Sequence, residues 1–107
     1  MKLSQKLTKE SVSPFFEQWA VLAEEISNLH QNRCNQTAQQ MMQGLDLFKA
    51  LLTHCEEQIF PMNGHERIHF IEQRPGNYAA FRQLDELFSE MKKKIAAKRI
   101  QMKNELL

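Results

Sequence analysis

Apolar side chains recur along this chain at helical spacing. From Phe15 they fall at Trp19, Leu22, Ile26 and Leu29, steps of three and four that lay one stripe along a helix. Ser13 before Pro14 has the form of an N-cap followed by a first-turn proline, so the pattern predicts a helix over about 14–32. A second stripe, Ala38, Met41, Leu45, Phe48, Leu52, Cys55 and Ile59, opens behind a polar stretch from Asn35 to Thr37 and predicts a helix to about residue 59. Gly44 sits inside it at a cost near 1 kcal/mol relative to alanine, which marks close helix packing without breaking the pattern. Pro61 then stops the chain. Asn63 with Glu66 three positions later resembles a capping box and predicts a short helix through Ile68, Phe70 and Ile71. Arg74-Pro75-Gly76-Asn77 ends it, because a residue before proline is driven out of the α region. Tyr78, Phe81, Leu84, Phe88, Met91 and Ile95 predict a last helix from near Asn77 toward Leu107.

No segment alternates with the period of a strand, and the connections are short. The fold class read from this is all-α: a small antiparallel bundle of three long helices plus one short helix. It forms a single domain over residues 1–107, with 1–12 as a flexible N-terminus. Trp19, Phe48 and Phe88 stand at the centres of their stripes and are expected to meet in the core. Tyr78 and Phe81 are expected there too. Heptad-like spacing over several turns also serves a partner helix, so a homodimer is compatible with the pattern.

Composition narrows the function classes. With 42% hydrophobic residues in 107, one small core is affordable in area, and disorder is disfavoured. The net charge of +1 supplies no strong overall field, so nucleic-acid binding would have to come from a local patch and would be weak. No apolar run approaches the roughly 20 residues that span a bilayer, and MKLSQKLTKES lacks the apolar stretch of a signal peptide. The expected location is therefore the cytoplasm, without a membrane partner. Cys34 and Cys55, at opposite ends of the second helix, would lie roughly 30 Å apart, too far for a disulfide.

Three groups of residues carry candidate chemistry. His65-Glu66-Arg67-Ile68-His69 matches H-E-x-x-H, in which His65 and His69, one turn apart, would hold zinc while Glu66 activates a water. A third ligand is required, with Glu86 or Glu90 as candidates, and Arg67 is an unusual occupant of a variable position. Glu66 has a competing use as a cap or ion-pair partner, which favours no catalysis and no cofactor. Lys92, Lys93, Lys94, Lys98 and Arg99, with Lys103, form a basic helix end that matches the macrodipole. Contact with phosphates is its functional alternative. Arg74, Asn77 and Gln83 form a candidate polar surface for an unknown protein partner, and Arg74 is also placed to clamp Glu66 or Asp85.

The arrangement Pro61, Asn63, Glu66-Arg67, Phe70-Ile71, Arg74-Pro75, Tyr78, Phe81, Gln83-Leu84, Glu86-Leu87-Phe88 and Lys92 resembles the C-terminal half of the YpoC-like family of small helical Firmicute proteins, over about residues 61–94. The resemblance implies an all-helical intracellular protein and supplies no catalytic residues. The reading that follows is a small cytoplasmic helical protein acting through protein contacts, without catalysis. A nucleic-acid-associated accessory protein is the alternative, and a minimal zinc metallopeptidase the distant one.

Overall fold

The computed structural model describes residues 2–34 and 36–105. They form five helices: α1 (Leu3–Lys6), α2 (Lys9–Gln31), α3 (Ala38–His54), α4 (Gly64–Gln73) and α5 (Tyr78–Glu105). No strand occurs among them. The three long helices and the short α4 are those the apolar stripes predict, and α1 is an addition.

Contacts between rings give the directions of the long helices. Phe15 near the start of α2 meets His54 at the end of α3, while His30 at the end of α2 meets Tyr78 at the start of α5. So α2 runs antiparallel to both neighbours. In the core Trp19 stacks on Phe88 with centroids 4.6 Å apart and planes 8° apart, and Phe48 meets Phe88 edge-on at 5.1 Å. All three rings are buried, as their central positions predict. Trp19 also donates Nε1–H to Asp85 Oδ1 at 3.0 Å, which satisfies the one polar atom this ring would otherwise bury unpaired. Gly44 lets the helices close on this cluster: a Cβ there would lie 2.6 Å from Trp19 Cζ3 and 3.1 Å from Leu84 Cδ2.

Several boundaries differ from the sequence reading. The helix expected from Pro14 begins at Lys9, capped by Thr8, whose Oγ1 accepts from Ser11 N at 3.3 Å. Pro14 removes one backbone donor inside it. Burial of Leu7 and Val12 carries the helix across that gap. Residues 2–12, expected as a flexible terminus, are therefore folded onto the bundle. His54 Nε2 donates to Lys6 O at 2.8 Å, Arg99 Nη1 donates to Leu7 O at 3.1 Å, and Lys6 pairs with Glu56 at 2.8 Å.

The α3 helix stops at His54, short of the expected residue 59. Glu56 takes φ 56°, Glu56 N donates to Thr53 O, and Glu57 N donates to Leu52 O, the paired bonds of a Schellman stop with glutamate where glycine is usual. Cys55 and Ile59 are buried beyond the helix end, which is why the spacing of the stripe continues through them. At the start of α3, Thr37 is the N-cap residue and its hydroxyl points away from the helix to Gly76 O, while Asn35 lies outside the described residues. Tyr78, expected in the seam of α5, is 51% exposed. Leu106 and Leu107, toward which α5 was expected to run, lie outside the described residues.

Candidate functional site

The H-E-x-x-H string occupies the first two turns of α4, and local backbone geometry sets it there. Asn63 adopts a left-handed conformation with φ 55° and its side chain caps nothing, so the expected capping box with Glu66 does not form. The carboxylate is exposed and, among the described residues, makes no hydrogen bond or ion pair. His65 and His69 are both exposed, and the His65 ring packs on Phe60 at 4.5 Å.

Arg67 points the other way, into the α4/α5 contact. Its guanidinium donates to Met62 O at 3.1 Å and pairs with Glu90, with Glu86 at 4.0 Å. The Gln83 amide, its oxygen turned toward the guanidinium, accepts from Arg67 Nε and, at 2.9 Å, from Nη2. Arg67 beside Glu90 holds that carboxyl below the usual carboxylate range. The two residues expected as third metal ligands thus face Arg67. Among the described residues no group of three His, Cys, Asp or Glu side chains could hold a metal ion. In this arrangement Arg67 fastens α4 to α5. Its position in the motif gave no hint of that, because H-E-x-x-H draws attention to the opposite face of the helix.

The polar trio expected as a partner surface is divided by the fold. Arg74 ends α4, exposed, and makes neither of the expected clamps to Glu66 or Asp85. Asn77 caps α5, its Oδ1 accepting from Ala79 N at 2.8 Å. Gln83 is half-buried and committed to Arg67.

The basic residues of α5 are also not one equivalent set. Lys92, Lys93 and Lys94 are exposed, Lys98 and Arg99 half-buried. Arg99 holds the α1 turn through Leu7, and Lys92 Nζ lies 6.0 Å from the centroid of the Phe16 ring. Folding brings further cations to this end. Residues 2–10, 54–58 and 92–105 hold nine Lys and Arg against four Asp and Glu, whereas the rest of the chain holds five against nine. The net charge of +1 therefore conceals a basic end and an acidic remainder along a body 52 Å long.

Two open grooves flank α2. One, of about 490 Å³, lies against α3 and exposes Val21, Leu22 and Leu47 beside Glu17 and Glu25. The other, of about 550 Å³, lies against α5. Its floor is Val12, Phe16, Ala20, Ile95 and Ala96, and its rim carries Lys9, Lys92 and Arg99, with Glu17 at the edge. Lys9 and Phe16 escaped the sequence reading because Lys9 fell in the supposed flexible terminus and Phe16 lies beside the apolar stripe. Phe15 and Phe16 both pack against the core, Phe16 edge-on to Phe88 at 6.4 Å, and Phe16 stays half-buried with part of its ring lining the groove. Cys55 adds no reactive group, since burial pushes its thiol up to about 11.

No described helix is long and apolar enough to cross a membrane. A protein-family model described as YpoC-like protein matches residues 9–103, most of the chain and well beyond the resemblance over residues 61–94. No curated protein and no solved structure matches the chain.

Proposed function

The chain belongs to the YpoC-like protein family, and on that helical frame we propose that it acts in the cytoplasm by binding another protein, without catalysis. The observation that supports this reading is the surface of α2. Val21 is 71% exposed midway along the helix, with Leu22 and Leu47 beside it, while Phe16 and Ala20 open onto the other side. Apolar surface rimmed by polar groups is what a protein partner covers.

The test is purification of the tagged protein from its native cell beside Ala20→Glu and Val21→Glu, each checked for an unchanged circular-dichroism melt. A protein that accompanies the wild type stoichiometrically and is lost from at least one variant is the expected result. An identical set of companions for all three, or none for any, would contradict the reading.

A second reading, association with nucleic acid, draws on the concentration of cations at one end. Such binding would be weak, indifferent to sequence and steeply salt-dependent. Failure to bind duplex DNA or RNA at about 50 mM salt would remove it. The zinc-peptidase alternative is left with two exposed histidines one turn apart.

A further inference from the structure

We propose that the groove between α2 and α5 is a docking site for an acidic amphipathic helix of a partner protein, an inference that rests on the protein-contact reading and names the chemistry of the partner. The floor and the rim of the groove ask for different things. Phe16, Ala20 and Ala96 leave apolar surface open at the bottom, next to the buried Ile95. A ligand gains there only by bringing apolar side chains of its own.

Lys9 on one wall and Lys92 and Arg99 on the other present cations above that floor. Arg99 is already oriented by its bond to Leu7 O, which uses one of five guanidinium donors. Lys92 is drawn over the Phe16 ring. Carboxylates flanking an apolar stripe satisfy both parts of the groove, and a helix carries such a stripe at i, i+3, i+4 and i+7. The lining from Lys9 to Ala20 rises about 16 Å along α2, three turns, so the contact needs an occupant of about the same length.

The concave floor argues against other anionic ligands. A nucleic-acid backbone offers phosphates to the rim and leaves the apolar floor unmatched. A flat bilayer surface offers headgroups to the cations but no apolar ridge to enter the space between two helices. Glu17 borders both grooves, but the groove beside α3 adds Glu25 and no Lys or Arg, whereas the α5 side sets three cations against that one carboxylate, so the acidic occupant is assigned to the α5 side alone.

The experiment is selection of a displayed library of random helical peptides against the full chain, followed by affinity measurement of the enriched peptides. The expected peptides carry Asp and Glu flanking an i, i+3, i+4, i+7 apolar stripe. They should bind about tenfold or more weakly to the Lys9→Glu, Lys92→Glu double variant and with unchanged affinity to Lys49→Glu, which reverses a charge elsewhere. If charge reversal unsettles the fold, the milder Lys9→Gln, Lys92→Gln variant is read in the same way. Enriched peptides that are neutral or basic, or that bind the double variant as well as the wild type, overturn the proposal. Peptides whose binding is lost on Val21→Glu instead would overturn it too, while leaving the protein-contact reading standing. Displacement of the enriched peptide by duplex DNA, or by vesicles of equal phosphatidylcholine and phosphatidylserine, more readily than by the unlabelled peptide would assign the groove to those ligands.

Discussion

A single missing side chain sets how closely three helices approach. At Gly44 the Trp19 ring of α2 and Leu84 of α5 occupy the space a Cβ would take, and Trp19 cannot retreat because it is stacked on Phe88. Gly44→Ala gains up to about 1 kcal/mol in helix propensity and loses about 1–3 kcal/mol to overpacking. It should destabilise the protein in urea denaturation. Stability equal to or above wild type would show that the interface yields. Asp85 acts through the same ring. Asp85→Ala leaves the Trp19 N–H buried without an acceptor and should cost about 1–3 kcal/mol, read by denaturation followed through Trp19 fluorescence. Gly44 and the Trp19, Phe48 and Phe88 cluster were legible because apolar periodicity points inward. Asp85 and Arg67 were not, since nothing in a helical repeat says which polar residue will find a partner on the next helix.

At the scale of elements, helices were easier to find than their ends. The overrun of α3 to residue 59 and the late start of α2 have the same origin: tertiary burial continues or stops a stripe independently of the local stop and start residues. Both α2 and α3 end in Schellman turns built on non-glycine residues, Arg33 at φ 57° and Glu56 at φ 56°. Around Arg33 the bonds run from its N–H to His30 O and from Cys34 N–H to Leu29 O. A left-handed arginine is strained by its Cβ, so Arg33→Gly should raise stability by about 0.5–1 kcal/mol. A melt unchanged or lowered would place the strain elsewhere.

The contact of α4 with α5 carries a pH signature. Arg67 lowers the pKa of Glu90 from its ordinary 4.5. The contact therefore contributes fully above that value and is lost as pH falls through the lowered folded pKa. Glu90→Gln should flatten part of the decline in melting temperature between about pH 5 and pH 3. A decline as steep as that of the wild type would show that the pair contributes nothing.

The whole molecule has a property that no count of its residues contains. Nearly balanced composition folds into a basic end and an acidic remainder because residues 2–10 lie against the last turns of α5, joined through Leu7 to Arg99, and against the end of α3, joined through Lys6 to His54. Residues 2–12, expected as a flexible terminus, complete that end of the molecule, and Lys9 among them forms one wall of the α2/α5 groove. The family resemblance, read over a third of the chain, holds over residues 9–103, so the helical frame that shapes the grooves lies within the matched region.

The central claim is that the sides of α2 are where another protein binds. Its most direct test is photocrosslinking in the native cell, with p-benzoylphenylalanine placed in turn at Ala20, Val21 and, on the exposed surface of α4, Gln73. A discrete protein adduct from Ala20 or Val21, and none from Gln73, is the expected result. Adducts to nucleic acid, or the same diffuse ladder from all three positions, would contradict it.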